Sequence, residues 1–182
     1  MRIGSFSHMT YKEFLTSKIE IAKDSGFEIS DSEINPALKP HQRDAVRWAL
    51  KGGRRALFES FGLGKTVQEL EFCHQVVRRL GGKALIVCPL GVRQEFARDA
   101  VEILGYEAPV YVRTMEEGRD TEGKILLTNY ERVRDGDIRP EYFMATALDE
   151  ASVLRSFGSK TYQTFLEKFR GVPYKLVATA TP

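Results

Sequence analysis

Glu59-Ser60-Phe61-Gly62-Leu63-Gly64-Lys65-Thr66 is the stretch whose reading decides the fold. A short apolar run, Ala56-Leu57-Phe58, precedes it. A segment with Val67, Leu70, Cys73, Val77 and Leu80 on one helical face follows. Strand, glycine turn, Lys-Thr and helix make the layout of a phosphate-binding loop. Glycines let backbone N–H groups turn inward around a phosphate, and the helix N-terminus adds positive partial charge. Gly62, Leu63, Gly64, Lys65 and Thr66 are therefore the candidate phosphate contacts. Lys65 can reach the terminal phosphates, and the Thr66 hydroxyl can hold a magnesium ion. The general pattern G-x-x-x-x-G-K-[ST] wants a glycine where this chain has Glu59.

Downstream, Gly81-Gly82 breaks the chain, and Ala84-Leu85-Ile86-Val87-Cys88 is a continuous apolar run. Such runs, alternating with helical segments, predict parallel strands buried on both faces. Pro89 to Phe96 reads as a loop opening a helix that continues to Leu104. Val110 to Val112 reads as a short strand, Met115 to Gly123 as a charged loop, and Ile125 to Tyr130 as another strand. The apolar strand from Tyr142 to Leu148 then delivers two adjacent carboxylates, Asp149 and Glu150. In an open parallel sheet, ligands bind at the C-terminal ends of the strands. Asp149 is thus expected near Lys65 and Thr66, in the magnesium shell, with Glu150 placed to polarise an attacking water. A helix between Ser156 and Arg170, with Tyr162, Phe165, Leu166 and Phe169 as its apolar face, and a strand from Lys175 to Ala178 complete the pattern.

Upstream, Pro40 at the first turn and the apolar Ala45, Val46, Trp48, Ala49 and Leu50 predict a helix, with Trp48 in the core. Lys51 to Arg55 reads as a helix stop and turn with charges facing water. Gln42 carries an amide donor and acceptor side by side, a pairing that suits the edge of adenine, although a helix glutamine is more often simply solvated. Thr10 and Glu13 form a capping box for a helix over 10–25, with Phe14, Leu15, Ile19 and Ala22 as its stripe. That helix is expected to dock on the core, with Glu28 to Asn35 as a polar connector.

The 182 residues suffice for one well-buried domain. Charged residues are 29% and hydrophobic ones 42%, and the net charge of +2 is too small to argue for or against nucleic acid. No apolar run reaches the roughly 18 residues of a membrane span, and the N-terminus lacks a signal core. Cys73 and Cys88 fall in predicted buried elements, as core thiols of a reducing, cytoplasmic compartment. Three scattered histidines make no zinc cluster.

Taken in order, residues 36–182 resemble the first RecA-like motor domain of superfamily-two helicases and translocases, above all the branch of chromatin-remodelling ATPases and phage helicases. Leu38 to Gln42 resembles the Q motif, and Gly62 to Thr66 resembles motif I, with Glu59 where remodelling ATPases carry an acidic residue. Val87-Cys88-Pro89-Leu90 with Arg93 resembles motif Ia, and Leu127 to Glu131 resembles motif Ib. Asp149-Glu150-Ala151-Ser152 resembles motif II, and Ala178 to Pro182 resembles motif III. The resemblance implies an α/β, RecA-like fold with a mostly parallel sheet and helices on both faces over 36–182; residues 1–35 read separately as an N-terminal helical extension and connector. It implies ATP and Mg²⁺ as ligands, with Gln42 reading adenine, Thr66 and Asp149 holding the metal, and Lys65, Asp149 and Glu150 as the catalytic group. It implies nucleic-acid contacts at Pro89, Leu90, Arg93, Thr128, Asn129 and Tyr130, double-stranded DNA being favoured. Ser152, Thr179 and Thr181 would couple nucleotide state to motif III, with Ser152 standing where His or Asp is usual. A second RecA-like domain carrying arginine fingers is expected to complete the motor, so the chain reads as part of a longer protein. A restriction-system motor subunit and a non-catalytic nucleotide-binding fragment are the alternatives that the motifs leave open.

Overall fold

The computed structural model describes residues 23–156 and 158–180. Six strands form one sheet: β1 (Arg54–Phe58), β2 (Ala84–Val87), β3 (Val110–Tyr111), β4 (Ile125–Thr128), β5 (Ala145–Asp149) and β6 (Tyr174–Thr179). Their order is β1-β6-β5-β2-β4-β3, and every pairing is parallel. The helices are α1 (Pro40–Gly52), α2 (Lys65–Leu80), α3 (Arg93–Glu102), α4 (Met115–Asp120), α5 (Tyr130–Asp135) and α6 (Ser159–Glu167). This is the α/β architecture with a parallel sheet buried on both faces that the alternation of apolar runs and amphipathic segments predicts.

Side-chain alternation along each strand sorts the core into two layers. Ala84 and Ile86 of β2 and Ala145 and Ala147 of β5 pack with Val46, Leu50, Leu70, Cys73 and Phe96 of α1, α2 and α3. Leu85, Val87 and Leu148 face the other way, with Val133 of α5 and Phe165 of α6. Burying both faces requires the unbroken apolar runs seen in β2 and β5. Helix ends follow local chemistry. The Gly53 N–H caps Ala49 O at 2.9 Å, and the Gly81 N–H caps Val77 O at 2.8 Å, both glycines having positive φ.

Several local expectations change. Trp48 is 48% exposed, because the buried stripe of α1 runs through Gln42, Val46, Ala49 and Leu50. Its ring carries the Arg55 guanidinium at 5.1 Å instead. Only Gly53 makes the turn after α1: Arg54 and Arg55 already pair with Lys175 and Leu176 in the sheet. Arg55 is partly buried and bonds Asp24 at 2.5 Å. Met115 to Asp120 is helix rather than loop, capped by Thr114, whose hydroxyl accepts from Glu117 N at 3.2 Å. β4 stops at Thr128, and Tyr130 opens α5. β5 starts at Ala145, since Pro140 to Tyr142 forms a 3₁₀ turn. On α6, Phe165 is buried, whereas Tyr162 and Leu166 are exposed. Of the helix expected over 10–25, residues up to 22 lie outside the described ones, and 23–25 are irregular. The connector 28–35 holds to α2 through a polar network. Asn35 N and Gln75 Nε2 both donate to Glu71 Oε1, at 3.0 and 2.7 Å, and Tyr106 Oη donates to Glu71 Oε2 at 2.5 Å.

Candidate nucleotide-binding cleft

The sheet order positions the site. β6 lies between β1 and β5, so three strand ends meet in sequence. Phe58 is in register with Thr179, and Ala178 with Asp149. The glycine loop leaves β1, the carboxylate pair leaves β5, and Thr179 ends the strand between them.

The loop turns on two glycines, Gly62 (φ 82°) and Gly64 (φ 77°), in the left-handed region that β-carbons disfavour. Gly64 caps α2. A side chain there would also collide with Gln42 Nε2. The Lys65 ammonium donates to Glu59 O at 3.1 Å and Ser60 O at 3.3 Å, and lies 5.2 Å over the Phe61 ring. Thr66 is half-buried in the first turn of α2. A cleft of about 600 Å³ opens at this edge. Gly62, Gly64, Lys65, Thr66, Asp149 and Glu150 all line it.

Burial pushes the Asp149 carboxyl up to about 6, the neighbouring Glu150 charge adds to the rise, and Lys65 opposes it. A carboxylate short of positive partners is suited to a cation. Thr66 and Asp149, both lining the cleft, offer hard oxygen donors, the sparse protein ligation that Mg²⁺ takes when phosphates and waters complete its shell. The donor set therefore fits Mg²⁺, and among the described residues no group of three or more His, Cys, Asp or Glu suits a protein-only metal cage.

Glu150 has positive φ, 51°, alone among the described non-glycine residues. Its Oε1 accepts from the Ser152 hydroxyl and, at 3.3 Å, from Thr179 Oγ1. Two of the three residues expected to couple nucleotide state to motif III, Ser152 and Thr179, thus converge on one oxygen. Thr181 lies outside the described residues. Tyr130 Oη donates to Asp149 O at 2.6 Å and ties α5 to the acid pair.

Gln42 is 6% exposed and not solvated. Its Oε1 accepts from Lys39 N at 2.9 Å, and its Nε2 donates to Leu63 O at 2.9 Å. Both ends of the amide thereby join the start of α1 to the glycine loop.

The residues expected at a nucleic-acid surface divide. Leu90 is exposed, and Pro89 sits on the cleft rim. Arg93 is exposed and stacks 5.1 Å from the Tyr111 ring. Asn129 Oδ1 accepts from Tyr111 Oη at 3.1 Å. Thr128 and Tyr130 are turned inward. The Thr128 hydroxyl donates to Val112 O at 2.9 Å, and Tyr130 is 1% exposed. As side chains, these two belong to the core, because β4 is buried on both faces and α5 packs down on it.

One residue that the motif reading missed lies on α2, just beyond the loop. Glu69 is wholly buried one turn after Lys65, and its carboxylate oxygens have no hydrogen-bond partner among the described residues. Burial holds it well above the ordinary carboxylate range, and the Asp149 charge adds to this. The i, i+4 spacing from Lys65 is the signal that could have found it. Cys88, at the end of β2, is buried, which together with the Asp149 and Glu69 charges pushes its thiol up to about 12.

No family model matches the sequence, and no curated protein matches it either. Solved structures do share its fold. The UvsW helicase from bacteriophage T4 superposes with TM-score 0.64 at 16% identity, over 96% of this chain and 61% of that one. A second T4 UvsW structure gives 0.66 at 15%, over 96% and 35%. The SWI2/SNF2 ATPase core of Sulfolobus solfataricus in complex with double-stranded DNA gives 0.67 at 19%, over 86% and 34%. The chain thus spans between about a third and three-fifths of these neighbours.

Proposed function

From a RecA-like fold shared with superfamily-two motor domains, we propose that this chain is the ATP-binding first motor domain of a DNA helicase or double-stranded DNA translocase. The observation that carries the reading is the single cleft lined by Lys65 and Thr66 of the loop and by Asp149 and Glu150 of β5. The DNA-bound state of the SWI2/SNF2 neighbour supports double-stranded DNA as the partner.

In this mechanism Gly62, Leu63 and Gly64 receive the phosphates on backbone N–H groups. Lys65 leaves its loop carbonyls for the terminal phosphate. Thr66 and Asp149 hold Mg²⁺, which when bound neutralises developing charge on the phosphate oxygens. Glu150 orients the attacking water. Its Oε1 is taken by Ser152 and Thr179, so Oε2 is the oxygen that meets that water. Gln42 reads adenine only by exchanging one of its two backbone partners for the base. Arg93 and Asn129 supply side chains to the DNA backbone, Pro89 and Leu90 shape the loop that presents Arg93, and Thr128 and Tyr130 hold the 128–130 segment in place. A sequence-tolerant, salt-dependent grip follows from such contacts.

Hydrolysis in this class needs charge neutralisation from a facing domain, and an arginine finger is worth about 10³ to 10⁵ in rate. Residues 1–182 alone are therefore expected to bind nucleotide and turn it over very slowly. The test is ATP binding and turnover by this chain, with and without double-stranded DNA, beside Lys65→Ala. Binding that Lys65→Ala weakens, with negligible turnover, supports half of a two-domain motor. Robust DNA-stimulated turnover would mean that the chain completes its own site. Absence of binding would reject the nucleotide reading.

A further inference from the structure

Glu59 stands where the general phosphate-loop pattern has glycine, and its side chain is engaged. Its Oε2 accepts from Gln68 Nε2 at 2.7 Å. The same nitrogen lies 3.5 Å from Leu63 O and 3.4 Å from Gly64 O. Leu63 O is also the acceptor for Gln42 Nε2. The chemistry sets the orientation of the Gln68 amide: a carboxylate and two carbonyls only accept, so the NH₂ faces them. Gln68 is wholly buried, and its Oε1 has no partner among the described residues. An unpaired buried amide oxygen is costly. The bonds made by its nitrogen offset that cost.

Peptide geometry turns this brace into a statement about the cleft. In a planar trans peptide the C=O and the following N–H point in opposite directions. Leu63 O is drawn toward Gln42 and Gln68, neither of which lines the cleft, whereas Gly64 does. The Gly64 N–H accordingly points to the cleft side. We propose that Gln68, braced by Glu59, is a positioning residue that fixes the 63–64 peptide so that its N–H is preset toward the phosphate of a bound nucleotide. The proposal rests on the phosphate-loop reading above. It assigns Gln68 to the phosphate end of the ligand, whatever the base.

The experiment titrates Mg²⁺ salts of ATP, GTP and inorganic tripolyphosphate into the wild-type chain, Gln68→Ala, and the exchanged pair Glu59→Gln/Gln68→Glu, with thermal melting of each. Gln68→Ala is expected to weaken all three ligands by a common factor, about three- to tenfold for one lost hydrogen bond. The exchanged pair restores a 59–68 bond with donor and acceptor reversed but offers Leu63 O and Gly64 O no donor from residue 68, leaving Gln42 Nε2 to hold Leu63 O. Its phosphate affinity is expected to stay at the Gln68→Ala level, and the melting curve of each variant shows that it is folded at the titration temperature. Unchanged affinities in Gln68→Ala, a loss confined to ATP, or recovered affinity in the exchanged pair would each overturn the brace. A wild-type chain that binds none of the three, or binds them regardless of Lys65→Ala, would overturn the phosphate-loop reading and the brace with it.

Discussion

Asp149 sets function against stability at a single side chain. Its folded value of about 6 lies above the ordinary 3.8. Through the acid range between those values, the folded chain holds a proton there that the unfolded chain has released. The contribution of this group to stability is therefore fully present below about pH 4 and lost as pH rises through about 6. At pH 7.5 the bare carboxylate costs roughly 2–3 kcal/mol. Asp149→Asn is expected to raise unfolding stability in urea by about 1–2 kcal/mol at pH 7.5, to change little at pH 4, and to abolish Mg²⁺-dependent nucleotide binding. Loss of stability at pH 7.5 would show that the carboxylate is already compensated. The identity of this residue was legible in the sequence, because an apolar strand ending in Asp-Glu places carboxylates at the ligand edge of a parallel sheet. The burial of Thr128, Tyr130 and Glu69 was not. It depends on how α5 and α2 pack across the sheet, which short-range pattern does not encode.

Among the elements, the connector before α1 is held by side chains rather than by regular structure. Tyr106 Oη, Gln75 Nε2 and Asn35 N converge on Glu71, and Asn35 Nδ2 donates to Leu104 O at 2.8 Å. Tyr106→Phe removes one donor from a buried carboxylate and is expected to cost about 1–3 kcal/mol in urea unfolding. Nucleotide affinity should hold, because this network lies away from the cleft-lining residues. A change in affinity at unchanged stability would reverse that assignment. Periodicity found the strands and the long helices, since each needs its own apolar pattern to bury. It misplaced Trp48, because composition alone does not separate a core aromatic from one sheltered by a neighbouring guanidinium. It passed over α4, whose six residues are too few for a stripe, although Thr114 and Glu117 carried a capping signal.

Over the whole molecule, the two layers of core meet at one sheet, and α2 crosses from the cleft to the interior on one side of it. Cys73 lies on α2, and Cys88 lies just past the end of β2. Both are free thiols, 0% and 1% exposed, and burial raises both well above the ordinary thiol range. A thiol in that state meets a soluble reagent only when the surrounding structure parts. The pair therefore acts as two clocks at different places in the fold. Cys88 neighbours Asp149 at the strand edge, so its labelling rate times the breathing of the cleft wall. Cys73 is packed between α2 and the sheet, so its rate times the opening of the core. Saturating Mg²⁺ and nucleotide are expected to slow the first clock more than the second, and equal slowing would mean that cleft and core open as one unit.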